Sequence, residues 1–419
     1  MPFHKHTLAN GLQIIGESHP AALSSAVGFF VRTGSRDETP EVSGVSHFLE
    51  HMVFKGTPRR TALDVNRDFD RIGAHYNAFT SEENTVFWAA ILPEYLPQAI
   101  DILADILRPS LRQEDFDMEK KVIIEEIGMY DDQPTWAAYD KAKTLYFAEH
   151  PLGNSILGTA QSIGDLKCDQ MLNYFNRRYV GPNVTVSVAG KFDWDKVVAD
   201  IDKQCGSWPT GESSRHSIRE TAGSGKFDLV TKGQVKQEHL FLIASGPPAN
   251  SMLRYPAEVI GTVVGDDSNS RLYWSLVDPG LAESADMGFH EYEGTGSFFT
   301  SFSCEPGRAA ENLAIVRRVL EDVQKKGITA EELQQAKSKL GSRVVRAHER
   351  PVNRMRSIGM AWTYLHEYRT VDGELQAFDA VGLKDVRETL DKYPLDRLTT
   401  LALGPLQELK ADANGSRVR

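Results

Sequence analysis

At 419 residues, 41% hydrophobic and 25% charged, the chain has the composition of a globular protein and the length to bury more than one core. Its net charge of −11 argues against nucleic acid and against anionic membrane surfaces as partners. The cysteines Cys168, Cys205 and Cys304 are scattered and odd in number, so they form neither a disulfide framework nor a metal-ligand spacing, and a reducing compartment is the simpler inference.

In chain order, Met1 to Thr7 has no apolar core of a signal peptide, and no apolar run nears the ~18 residues of a membrane span, so no membrane and a cytoplasmic location are expected. His4 and His6 alternate as on an exposed edge strand, which explains the pair without a metal. His47 to His51 follows, on what reads as a helix. Residues 74–90 alternate and are rich in aromatic and β-branched residues, the pattern of two strands. Pro97 to Leu107 and Asp115 to Tyr130 read as paired helices, with Asp115 as the N-cap of the second. Val184 to Val188 is strand-like, and Trp208 to Arg215 and Thr221 to Gly225 have linker composition. Leu240 to Ala244 opens a second run of strands, and Asn312 to Val323 with Thr329 to Val344 repeats the helix pair.

The pattern predicts an α+β fold of two homologous, duplicated α/β sandwich-like domains, each a mostly antiparallel sheet packed with helices. The expected boundaries are 1–210 and 229–419, with a linker over 211–228. If Phe116 matches Leu333, then Ala336 falls opposite Glu119 and Arg343 opposite Glu126. The second half also lacks a counterpart of His47 to His51, so only the first half is expected to carry metal.

The chemistry concentrates in His47-Phe48-Leu49-Glu50-His51, an H-x-x-E-H motif. Two histidines four apart on a helix project from one face and can hold one metal ion. Glu50 stands beside them as a candidate general base, in the reverse order of the commoner H-E-x-x-H. A catalytic zinc takes three protein ligands, so one more is needed. On a helix, Glu119, Val122, Ile123, Glu126, Ile127 and Tyr130 share a stripe, and two carboxylates interrupt its apolar character. A cation offsets the cost of burying them, which makes Glu126 a ligand candidate and Glu119 a support behind one. Ion pairs with Lys or Arg across a helix interface would also explain both.

Further motifs surround this core: Leu8 to Leu12, Arg32 to Glu38, Gly44, Phe54 to Thr57, Gly73, Asn77 to Ser81 with Glu83 and Thr85, and His150 to Gly153 with Ile156 to Gly158. With them the first half resembles the insulinase/pitrilysin family of zinc peptidases, and within it the branch of the mitochondrial processing peptidases. The resemblance implies one Zn²⁺ per chain on His47, His51 and Glu126, with Glu119 supporting and Glu50 catalytic. It also implies that the strand of Asn77, Ala78 and Phe79 lies at a sheet edge and binds an extended peptide substrate through its main chain. A turn role after Gly73 is the plainer explanation of Asn77.

One departure stands out. Family members that are active carry an arginine and a tyrosine in the second half that grip substrate. After Ser270-Arg271-Leu272 this chain has Val277 and Glu283 in those places. The resemblance then implies a heterodimer in which a homologous subunit supplies the Arg/Tyr pair. The alternatives are a self-sufficient homodimer and a non-catalytic subunit like the core proteins of respiratory complexes.

Overall fold

The computed structural model describes residues 1–211, 215, 225–410 and 417–418; residues 212–214 and 216–224, most of the expected linker, lie outside them. Two compact units form, one from residues 1–128, 154–216 and 345–369, the other from 129–153, 217–344 and 370–419.

The sheet of the first unit contains β1 (Phe3–Thr7), β2 (Gln13–Ser18), β3 (Ser25–Val31), β4 (His75–Thr80), β5 (Thr85–Ile91) and β6 (Val184–Gly190) in the order β1-β2-β6-β3-β5-β4. β3 and β6 are buried along their whole length, as near-continuous apolar runs should be. One face meets the main core of Phe29, Phe48, Phe87 and Phe116; the other is covered by helix Pro351–Leu365 through Met355. β1 and β4 are the edges, which places His4 and His6 on an edge strand.

The second unit repeats the plan with β7 (Phe227–Thr231), β8 (Glu238–Gly246), β9 (Ser284–Tyr292), β10 (Thr295–Cys304) and β11 (Thr399–Gly404) in the order β7-β11-β8-β10-β9. In each sheet one parallel pair, β2 with β6 or β7 with β11, is followed by antiparallel neighbours that end in a hairpin. The first sheet differs by the extra edge strand β1. The fold is therefore α+β and internally duplicated. Strand pairing of this kind needs partners distant in sequence, and the helices do as well. Helix Pro134–Phe147 packs on β8 and β11, while Pro351–Leu365 packs on β3 and β6, so each unit takes one covering helix from the other half of the sequence.

The described cysteines are all free thiols. No helix among the described residues is long and apolar enough to cross a membrane.

Candidate metal centre

The motif helix runs Val45–Met52. It starts at Gly44, whose φ of +89° suits glycine, and a side chain there would meet the Leu157 carbonyl oxygen at 2.6 Å. The first turn is capped from outside the helix: the Glu38 carboxylate accepts from Gly44 N–H at 2.6 Å and Ser46 N–H at 2.8 Å. Burial raises the Glu38 pKa to about 8, against the pull of those two amides. Val45, Phe48, Leu49 and Met52 are buried in the core, leaving His47, Glu50 and His51 on the remaining face.

The second helix runs Gln113–Asp131. Asp115 lies inside its first turn and bonds Arg112 at 2.6 Å, instead of capping the helix as expected. Its buried stripe is Phe116, Glu119, Ile123 and Ile127; Val122 is 44% exposed, so the stripe is rotated from the expected one toward Phe116. Phe116 stacks on Phe48 with centroids 4.8 Å apart, which fixes the two helices side by side.

That contact brings His47, His51 and Glu126 together, with one ligand atom of each within 4.8 Å of the others. His47 Nε2 is 3.8 Å from Glu126 Oε1, and His51 Nε2 is 3.6 Å from Glu126 Oε2. Both are too long for hydrogen bonds. They are near the ~3.3 Å separation that metal–ligand bonds of ~2.0–2.1 Å give at a tetrahedral angle. Glu125 is exposed.

Behind His51, Nδ1 lies 2.9 Å from Glu119 Oε1, and the other Glu119 oxygen meets Lys55 Nζ at 2.5 Å. An Nδ1–H donated to Glu119 turns the Nε2 lone pair toward Glu126. Burial would raise the Glu119 pKa, but the bonds from His51 and Lys55 outweigh it and hold the carboxylate ionised. Burial also lowers His51, yet Glu119, Glu126 and Glu50 together raise it. For His47 nothing opposes burial, which pushes its pKa down to about 3 and keeps it neutral. Its Nδ1 is buried without a hydrogen-bond partner among the described residues. Burial raises both Glu50 and Glu126.

The residues fit a dication. Two imidazole nitrogens and one carboxylate make a ligand set that zinc accepts. Glu50, Glu119 and Glu126 converge around His51 with Lys55 on Glu119, so ionised carboxylates there leave negative charge that a divalent cation would balance.

Glu50 adjoins this trio on the motif helix, and Thr80 Oγ1 donates to its Oε2 at 2.6 Å. Thr80 ends β4, the edge strand of Asn77, Ala78 and Phe79. Ser81 N–H bonds Asn84 O at 2.8 Å across the hairpin, so alternate residues Tyr76, Ala78 and Thr80 turn their main-chain groups outward to the free edge. The Ala78 N–H is covered by its neighbour's Asn77 Oδ1 at 2.8 Å, a local guard on an open edge. Phe79 faces the other side of the sheet, under Arg356 at 4.8 Å from its ring centroid.

Lys55 and Thr80 lie within the motifs Phe54 to Thr57 and Asn77 to Ser81, and both carry a signal for their roles. Lys55 is four residues beyond His51, on the helical face of the ligands, and Thr80 shares the period-two face of Ala78. In the second unit Arg343 ion-pairs with Asp266, which also accepts from Lys339 at 2.6 Å. Val277 is packed against the core there, and the exposed Glu283 accepts from Gln237. Arg271 is engaged by Glu332 at 2.7 Å and Asp322 at 3.2 Å.

A duplicated α+β scaffold with its histidine–glutamate helix on one unit only defines a class of two-unit peptidases. The chain belongs to the insulinase family, peptidase family M16: residues 13–160 match the pattern described as insulinase (peptidase family M16), and residues 165–340 that of the peptidase M16 inactive domain. It is 32% identical over 409 residues to a Mycobacterium leprae protein named uncharacterized zinc protease ML0855, covering 96% of this chain and 92% of that one. The uncharacterized zinc protease YmxG of Bacillus subtilis is 32% identical over 384 residues, covering 91% of this chain and 93% of that protein. A protease from Helicobacter pylori superposes with a TM-score of 0.89 at 21% identity, over 96% of this chain and 99% of that one, a likeness of fold.

Proposed function

We propose that the chain is a zinc-dependent metalloendopeptidase for extended or unfolded peptides, with one zinc on His47, His51 and Glu126. The observation that carries this is the convergence of two imidazoles and a carboxylate beside the Glu50 carboxylate. The names of the relatives from Mycobacterium leprae and Bacillus subtilis support zinc as the metal. A zinc ion held there would polarise a scissile carbonyl and acidify water.

The remaining chemistry belongs to the chain. Glu50 accepts a proton from water and returns it to the departing amine, a task its raised pKa favours. Glu119 and Lys55 keep the His51 proton on Nδ1. β4 offers its free edge to an extended peptide, which adds as a further strand once Asn77 Oδ1 releases Ala78 N–H. Selection is then by main-chain shape more than by side chain, which favours unfolded segments.

We further infer that the chain works as the zinc-bearing subunit of a two-subunit enzyme. Val277 and Glu283 offer neither a cation nor a phenol, and Glu283 would repel a developing oxyanion. A complete ligand set on the first unit speaks against a purely structural subunit. The test is hydrolysis of an unstructured peptide by the purified chain, alone and with a homologous subunit bearing the Arg/Tyr pair. Activation by the partner is expected. Robust turnover by the lone chain would overturn the two-subunit reading in favour of the homodimer. Absence of bound zinc would overturn the peptidase reading itself.

A further inference from the structure

The motifs around Gly34, Arg36 and Glu83 take no part in the chemistry above, yet they converge behind one atom of it. The β4–β5 turn, Ser81 to Asn84, is held by Arg36 N–H on Glu82 O at 2.9 Å and Ser35 N–H on Ser81 O at 3.4 Å. Gly34 is needed there, because a Cβ would lie 2.2 Å from the Ser81 carbonyl oxygen. The Glu83 carboxylate is buried on the Arg36 guanidinium, and Arg215 donates to the Glu83 carbonyl at 2.6 Å. The turn is thus fixed by main-chain bonds and by a buried ion pair. The residue that it aims is Thr80.

We propose that Thr80 is a positioning residue for peptide hydrolysis: its hydroxyl holds Glu50 Oε2 and leaves Oε1 as the oxygen that moves the proton. The proposal rests on the assignment of Glu50 as the general base. The Oγ1–Oε2 distance of 2.6 Å is that of a hydroxyl bonded to a carboxylate. The main-chain N–H of Thr80 also acts on the same carboxylate. A β-branched side chain on a strand has a restricted χ1, so the backbone sets the direction of the hydroxyl. Glutamate has three torsions of its own. A bond from that fixed hydroxyl to one oxygen therefore turns a mobile carboxylate into a directed one. The same contact couples the edge strand that would bind peptide to the base that would attack it.

The test separates hydroxyl from shape. Thr80→Val keeps the branched outline and removes the hydroxyl; Thr80→Ser keeps the hydroxyl and removes the methyl. Both are assayed with Glu50→Gln, in the assembly in which the wild type hydrolyses an unstructured peptide, together with zinc content. We expect Thr80→Val to lower kcat by about 10- to 100-fold, the scale of a misplaced catalytic group, with KM within about twofold and zinc unchanged. Thr80→Ser should stay within about threefold of wild type, and Thr80→Ala should follow Thr80→Val. A structural role of the methyl would give the opposite order, with Val tolerated and Ser not, and would overturn the proposal. If Glu50→Gln is inactive while Thr80→Val keeps the wild-type kcat, Thr80 alone is overturned. If Glu50→Gln retains full turnover, the reading of the site falls and Thr80 with it.

Discussion

Glu119→Gln is the most revealing single substitution, because it changes one atom and forces a choice of tautomer. The Glu119 carboxylate accepts from both sides, with His51 Nδ1 at 2.9 Å and Lys55 Nζ at 2.5 Å, and its side chain is only 4% exposed. An amide has one acceptor and one donor. With its oxygen toward His51, its NH₂ meets the Lys55 ammonium, donor against donor. With its oxygen toward Lys55, its NH₂ demands that His51 Nδ1 accept, which moves the imidazole proton to Nε2 and removes the lone pair facing Glu126. Loss of a carboxylate behind a ligating histidine costs about 10- to 100-fold in metal affinity. That is about 1.4–2.8 kcal/mol, at about 1.4 kcal/mol per tenfold. Removing Lys55 should relieve the conflict, since the amide can then present oxygen to His51 at no cost on the other side. Lys55→Met/Glu119→Gln should therefore bind zinc more tightly than Glu119→Gln alone, a coupling of about 1 kcal/mol. The assay is zinc competition against a fluorescent chelator across the four-protein cycle. Wild-type affinity in Glu119→Gln, or strict additivity in the double variant, would refute the tautomer argument.

Three further outcomes are expected. Glu126→Gln should lose most of its zinc by elemental analysis while the exposed Glu125→Gln keeps it; equal losses would show that the wrong glutamate was chosen. Glu50→Gln should hold zinc but lose peptide hydrolysis by several powers of ten, and appreciable turnover with metal bound would remove Glu50 from its role as base. Zinc affinity should fall with acid through His51, not His47. The carboxylates around His51 raise its metal-free pKa above 6.5, so protonation competes with zinc as pH falls through that raised value, while His47, held near 3, stays neutral. By the same linkage, the metal-free protein gains stability from the charged His51 below its unfolded pKa and loses it as pH rises through the raised value. A zinc titration that stays flat from pH 8 to pH 5 would contradict this.

The sequence by itself determined the local chemistry. Two histidines four apart on a helix share a face, and Glu126 stood out because a carboxylate on an apolar stripe needs a partner. Duplication was legible too, since hydrophobic periodicity and turn residues are local signals, and β2-β6-β3-β5-β4 does repeat as β7-β11-β8-β10-β9. What only the tertiary structure decided was which neighbours those side chains acquire across the chain. Val122 is exposed because Phe48 captures Phe116 and turns the helix, a packing choice that the stripe could not encode. The exchange of Pro134–Phe147 and Pro351–Leu365 between the halves of the sequence depends on which sheet face is left to cover, and an amphipathic helix does not specify its sheet. Lys55 on Glu119 and Thr80 on Glu50 are contacts across 64 and 30 residues, set by strand pairing and helix stacking. Burial is the physical reason for the rest: the same imidazole that titrates near 6.5 in water is held near 3 at His47, because folding removes its solvent.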